Sequence, residues 1–280
     1  MTELFDKSFM RQLEALDAAL MRLRGSIGEG ITLRAGVLGA SEFRGNRPYT
    51  HGDDLRRLDW NAYGRLGKLY IREFEPERAE RLDIFVDNSR SMAAGPPSKH
   101  IFARRIAAAF AFLALKRGSS ARLAGGVAVE GMSRFGAILD DLRRAEPDSS
   151  STLIEQLRAI KRTKNLVVIS DFLEDPNSLA PLQTLSEAGS SITLIQVLAP
   201  SELEPESGGL TELHSLEEST SLKLPLTPTL IEAYQRELEA HLEAIESIAA
   251  RHRWLHALVD SASDLHHLFV GKLLASGGAV

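Results

Sequence analysis

The residues with the clearest chemical potential carry oxygen and stand in three separate places. Asp87-Asn88-Ser89-Arg90-Ser91 leaves the apolar run LDIFVD as an Asp-x-Ser-x-Ser pattern. Asp171 closes a second apolar run, LVVISD, and between the two SSSTLIEQL puts Thr152 at the start of a helix. Alternate residues leaving a strand point the same way, so one carboxylate and two hydroxyls can converge on a single point. The Thr152 hydroxyl can face that same edge. Oxygen ligands of this kind suit Mg²⁺, which wants near-octahedral oxygens at roughly 2.0–2.1 Å and keeps several waters. Mn²⁺ and Ca²⁺ are the alternatives. Two carboxylates balance the charge, the hydroxyls are neutral ligands, and a position left open admits an Asp or Glu from another protein. Metal binding then becomes partner recognition. The same residues also admit a structural reading, in which Asp87 and Asp171 cap loops and Ser89, Ser91 and Thr152 begin helices. A similarly spaced set, Asp148, Ser150 and Thr152, follows Pro147 with no strand before it and is set aside.

Elements must hold these residues in place. From residue 81 the chain alternates short apolar runs with helical patterns. LDIFVD reads as a buried parallel strand, residues 98–117 as an alanine-rich helix, and ARLAGGVAVE as a strand with a bulge or tight contact at Gly125-Gly126. GAILDDLRRA and TLIEQLRAIKR read as helices, LVVISD as a strand, SLAPLQTLSEAG as a helix stopped by Gly189, and SITLIQVLA as another strand. A hairpin is expected in ELHSLEESTSLKL, a long helix over 229–252, then a strand in WLHALVD and a helix in SDLHHLFVGKLL. This order predicts an α/β fold: a doubly wound, mostly parallel sheet over 81–280, with 201–227 as a loop and hairpin insertion. Open sheets of this kind place functional loops at the carboxyl ends of their strands, where Asp87 and Asp171 fall. Residues 1–80 read as a smaller, β-containing N-terminal module. It opens with a helix striped by Phe9, Leu13, Leu16, Leu20 and Leu23, and it includes the strand KLYIREF.

Two resemblances bear on function. Asp-x-Ser-x-Ser, then a threonine, then an aspartate resembles the metal-ion-dependent adhesion site of von Willebrand factor type A domains. That likeness implies Ser89, Ser91 and Thr152 as direct ligands, with Asp87 and Asp171 acting directly or through water. The family's last motif commonly reads aspartate-glycine, whereas this chain has Asp171-Phe172. The longer stretch RPYTHGDDLRRLDWNAYGRLGKLYIREFEPERAERLDIFVDNSRSM is similar to the signature of the bacterial family called domain of unknown function 58. Arg47, Pro48, Tyr49, Gly52, Asp53, Asp54, Arg56, Asp59 and Trp60 carry it. The resemblance implies a MoxR-type AAA+ ATPase as partner and a chaperone-like or cofactor-assembly role on a client protein. Tyr49, Asp53, Asp54, Arg56, Asp59 and Trp60 are either a docking surface for that ATPase or an internal network that fixes the N-terminal module.

Composition narrows the classes. Hydrophobic residues at 44% and charged residues at 25% are those of a soluble globular protein. Cysteine is absent, which excludes thiolate metal sites and disulfides and fits a reducing, cytoplasmic setting. The formal charge is −5, and residues 201–280 hold 5 basic against 13 acidic side chains, so no segment has the basic excess that nucleic acid requires. No apolar run nears the ~20 residues of a bilayer span. The N-terminus carries acids among its apolar residues and reads as a helix, not a signal peptide. Gly64-Arg65-Leu66-Gly67-Lys68 lacks phosphate-loop spacing, no Gly-x-Ser-x-Gly elbow occurs, and the histidines form no metal-binding pair. The reading is therefore a non-enzymatic, metal-dependent adaptor. Its rivals are a metal-dependent hydrolase or phosphatase using Asp87, and a type A-like fold whose metal site is dead.

Overall fold

The computed structural model describes residues 4–27, 41–50, 58–76, 81–147, 151–205, 210–214, 221–225 and 227–274. Its centre is a six-stranded sheet. In chain order the strands are β3 (Arg81–Val86), β4 (Ser120–Leu123), β5 (Val129–Glu130), β6 (Asn165–Ser170), β7 (Ser191–Leu198) and β10 (Leu255–Asp260). They lie in the spatial order β10-β7-β6-β3-β4-β5. All neighbours are parallel except β4 and β5. The antiparallel pair departs from the single strand expected over ARLAGGVAVE. Gly125 takes a φ of 81° and the Gly126 N–H donates to the Leu123 carbonyl at 2.9 Å, so the chain reverses there instead of bulging. A Gly-Gly pair between β-forming residues is a hairpin signal before it is a bulge signal.

Both faces of the sheet are covered, and strand alternation decides which side chain goes where. On one face Leu82, Ile84, Val167, Ile169, Ile195 and Val197 pack beneath three helices: α1 (Lys7–Ile27), α3 (Lys99–Lys116) and α4 (Phe135–Arg144). A closing π-helical segment (His267–Leu273) joins them. On the other face Phe85, Leu166, Val168, Ile192 and Leu194 pack beneath α5 (Leu153–Arg158), α6 (Ala180–Glu187) and α8 (Pro228–His252). Helix α3 is buried on nearly every side, including Ala107, Ala108, Ala109, Ala111 and Ala114 at 0% exposure, because α1 covers the side that the sheet does not. An all-round apolar helix needs such a double cover. The sequence groups α1 with residues 1–80, whereas its stripe Phe9, Leu13, Leu16 and Leu20 packs into the same core as α3 and the sheet.

The remaining elements are smaller. Strands β1 (Ser41–Pro48) and β2 (Tyr70–Pro76) form an antiparallel pair, and α2 (Trp60–Leu66) lies between them in sequence. Asp59 is the cap of α2, accepting from the Ala62 N–H at 2.9 Å, and Gly67 closes it at a φ of 64°. That turn falls within Gly64-Arg65-Leu66-Gly67-Lys68, the stretch that lacks phosphate-loop spacing, and it leads into β2. Helix α7 (Pro200–Leu203) follows β7, and β8 (Leu210–His214) pairs with β9 (Ser221–Pro225) as the expected hairpin. Among the described residues no helix is long and apolar enough to cross a membrane.

Candidate functional site

Three loops meet at the carboxyl edge of β3 and β6. The two strands are paired in register, Val86 opposite Ile169, and the Asp87 N–H continues the ladder by donating to the Ile169 carbonyl at 2.9 Å. Asp87 thus leaves its strand beside Ser170, whose hydroxyl donates to Asp87 Oδ2 at 2.6 Å. Asp87 Oδ1 accepts from the Ser89 N–H at 2.7 Å and from Gln156 Nε2 at 3.3 Å. Asp87 is 1% exposed. Burial pushes its carboxyl up to about 6, the nearby Asp171 charge adds to the rise, and the hydrogen bonds from Ser170 and Ser89 oppose it.

The serines follow. Ser89 precedes a 3₁₀ turn, Arg90–Ala93, yet its side chain makes no capping bond to that turn. Its Oγ lies 3.0 Å from Ser91 Oγ instead. Two ligands at adjacent corners of an octahedron with metal distances of roughly 2.0–2.1 Å stand about 2.8–3.0 Å apart. The two hydroxyls share a hydrogen bond whose length also matches one octahedral edge, and among the described residues no cation pairs with the buried Asp87 carboxyl beside them. On these two observations the residues suit a hard divalent cation. Among the described residues no three His, Asp or Glu side chains are grouped to hold a metal, so hydroxyl oxygens would have to share in the coordination.

Thr152 stands at the same edge and also caps a helix. It caps α5 in a reciprocal box: its Oγ1 accepts from the Glu155 N–H at 3.4 Å, and Glu155 Oε2 accepts from the Thr152 N–H at 3.1 Å. Its neighbours tie the loops together. Gln156 bonds Asp87 and accepts from the Asn88 N–H at 3.2 Å, while Glu174, just beyond Asp171, accepts from the Leu153 N–H at 2.8 Å. A cleft of about 480 Å³ opens beside this junction, walled by Phe85, Leu142 and Ile160 and bordered by Asn88 and Gln156.

Asp171 is the least free of the five. Its Oδ2 accepts from Lys99 Nζ at 2.9 Å and its Oδ1 from the Leu173 N–H at 3.2 Å. Lys99 also donates to Glu202 Oε1 at 2.5 Å. Phe172, standing where the adhesion-site pattern commonly has glycine, takes a φ of 51°. The ring is buried in the core beneath α8, and the His241 ring nitrogen lies 2.6 Å from the Phe172 carbonyl.

Several of these groups were not singled out from sequence: Ser170, Gln156, Glu174, Lys99 and Glu202. Two had a signal. Ser170 is the lone hydroxyl in an otherwise apolar strand end, and Glu202 follows the carboxyl end of β7, where such folds place functional residues. His100 is the second residue of α3. It is 2% exposed, its Nε2 sits 2.9 Å from Asn88 Oδ1, and burial, then the charge of Arg104, lowers its pKa to about 4. Of the second motif, Asp59 is a buried helix cap and Trp60 is 66% exposed, in an edge-on contact with Tyr63 at 6.3 Å. Tyr49 is half-buried and its N–H donates to the Leu69 carbonyl at 3.0 Å. Asp53, Asp54 and Arg56 lie outside the described residues, as do Asp148 and Ser150.

A family model for a protein of unknown function, DUF58, matches residues 45–244, which contain the whole of this edge. The chain belongs to the DUF58 family. Relatives include the uncharacterized proteins Mb1516 of Mycobacterium bovis and Rv1480 of Mycobacterium tuberculosis. Each is 28% identical over 213 residues, spanning 70% of this DUF58 chain and 67% of the relative. Among solved structures, the conserved hypothetical protein BatB of Bacteroides thetaiotaomicron is 16% identical with a TM-score of 0.43, covering 72% of this chain and 100% of its own. An aerotolerance-related membrane protein of Bacteroides fragilis is 15% identical with a TM-score of 0.38, covering 69% and 98%.

Proposed function

We propose that this DUF58 protein is a non-catalytic adaptor. In this reading the carboxyl edge of its sheet holds a divalent cation, Mg²⁺ foremost, through Asp87, Ser89, Ser91, Thr152 and Asp171, and presents it to an acidic side chain of another protein. The observation that carries the reading is the Ser89–Ser91 hydroxyl pair at 3.0 Å beside a buried, under-compensated Asp87. When bound, the cation supplies a Lewis-acidic position that a partner's carboxylate can complete. The chain's own part is to hold the ligands. Ser170 and Gln156 fix the Asp87 carboxylate, the ladder bond to Ile169 fixes its backbone, and Glu174 fixes the start of α5. The adjacent cleft, with Phe85, Leu142 and Ile160, offers an apolar side chain of the partner a place beside the acid.

On the resemblance of residues 47–91 to the family signature, the partner is a MoxR-type AAA+ ATPase, and the role is chaperone-like assembly or maturation of a client. Pull-down of that ATPase by the intact protein in Mg²⁺ and in EDTA tests this. Capture is expected in Mg²⁺, with loss in EDTA and in Ser89→Ala and Asp87→Ala proteins that keep their fold by circular dichroism. Capture that ignores both chelator and variants would overturn the cation as the means of recognition. Turnover of a generic phosphoester by the isolated protein, lost in Asp87→Ala, would instead make it a hydrolase.

A further inference from the structure

Lys99 is an unusual residue to find where it is. It is 0% exposed, and it is the first residue of α3, whose first turn contains no acid. Buried lysines are rare because desolvating an ammonium is costly, and a helix N-terminus repels positive charge. Helix stability therefore does not account for the placement. What holds Lys99 is a pair of carboxylates, Asp171 at 2.9 Å and Glu202 at 2.5 Å. Glu202 is itself fixed, since its Oε2 accepts from the Ala199 N–H at 2.7 Å.

The two acids follow neighbouring strands, Asp171 directly after β6 and Glu202 in the short helix α7 after β7, and the lysine follows the loop that leaves β3. One ammonium thus sits at the junction of the loops that frame the proposed cation site. With Lys99 in place, Asp171 has one oxygen on an ammonium and the other on the Leu173 N–H. A divalent ion that draws on Asp171 must share that carboxylate with a fixed positive charge.

We propose that Lys99 is a built-in competitor for the divalent cation, neutralising Asp171 and Glu202 so that the edge takes up metal only weakly by itself. The inference rests on the cation reading above. Lys99 is a compact point charge, fully buried between two carboxylates at the first turn of α3, and it lowers affinity by repulsion. The ion is then retained best when a carboxylate from outside adds its charge.

Mn²⁺ titration of the intact protein, followed by the electron paramagnetic resonance signal of free Mn²⁺, reads this directly. The variants are Lys99→Met, which keeps length without charge, Lys99→Arg, which keeps charge, and Lys99→Met with Glu202→Gln, which leaves no orphaned Glu202 and guards against misfolding. Thermal unfolding in EDTA and in Mn²⁺ reports the fold of each. The two neutral variants are expected to bind Mn²⁺ about tenfold or more tightly than the wild type, with the gain abolished by Ser89→Ala, and Lys99→Arg to stay near wild type. If wild type binds and the neutral variants bind no better, Lys99 is a structural ion pair and the proposal falls while the cation reading stands. If only the neutral variants bind, the competition stands and the cation reading of the natural protein falls. If none binds at millimolar Mn²⁺, both fall.

Discussion

Asp87 and His100 titrate in opposite senses at the sheet edge. Asp87, raised from 3.8 to about 6, keeps its proton in the fold over a range where the unfolded chain has lost it. Its contribution to stability therefore falls as pH rises from 3.8 to about 6, by about 3 kcal/mol in all. His100, lowered from 6.5 to about 4, stays neutral in the fold while the unfolded chain takes up a proton. Its contribution is complete above 6.5 and is lost as pH falls toward 4, again by about 3 kcal/mol. His256, lowered chiefly by burial, acts in the same direction as His100. The slopes offset between pH 4 and 6. In EDTA, Asp87→Asn should therefore melt at a temperature that rises from pH 4 to 6. His100→Gln should melt at one that rises less steeply than the wild type, or falls. Identical profiles for wild type and both variants would remove this assignment. Asp87 and Asp171 were legible as strand-end residues because each closes a short, β-branched-rich apolar run of strand length. Lys99 and Glu202 were not. The lysine lies 72 residues from Asp171 and 103 from Glu202, and neither spacing nor periodicity encodes a contact across such intervals.

Among the elements, the turn leaving β6 combines two opposed demands. At a φ of 51° a non-glycine residue is strained, by about 1 kcal/mol against glycine. The Phe172 ring, 1% exposed in the core, more than offsets that strain, since removing a buried phenyl costs about 3–5 kcal/mol. Both Phe172→Ala and Phe172→Gly should destabilise, but alanine keeps the strain and loses the ring. Urea denaturation is expected to rank the glycine variant about 1 kcal/mol above the alanine variant, reversing the usual order of these residues within regular structure. An alanine variant as stable as the glycine one would show that the backbone carries no strain there. The departure from aspartate-glycine was visible in the sequence; that the phenylalanine would keep glycine's conformation was not, because only the packing beneath α8 discloses what holds it. The Gly125-Gly126 reversal differs in kind. Its hairpin chemistry was present in the residue types, and the alternation of ARLAGGVAVE masked it.

For the molecule as a whole, the six-stranded sheet and its two helical covers follow from the strand–helix alternation of 81–274. The position of α1 does not. Its stripe announced a buried face without naming what it would meet. That face meets α3: the Arg105 guanidinium lies 5.0 Å from the Phe9 ring, Arg117 pairs with Asp17 at 3.2 Å, and Lys116 with Glu14 at 2.5 Å. Phe9 is 0% exposed, so Phe9→Ala should cost about 3–5 kcal/mol. If α1 folds with the sheet, fluorescence and circular dichroism will shift together in one chemical denaturation transition. An early partial transition that leaves the main one in place would make the N-terminal helix a separate unit.

Helix α3 is a shaft about 27 Å long. One end is tied to Asp171 and Glu202 at the carboxyl edge of the sheet through Lys99, the other to the N-terminal helix through Lys116 and Arg117. Because one helix carries both sets of contacts, whatever frays α3 loosens the hold on Asp171 and on the N-terminal helix together.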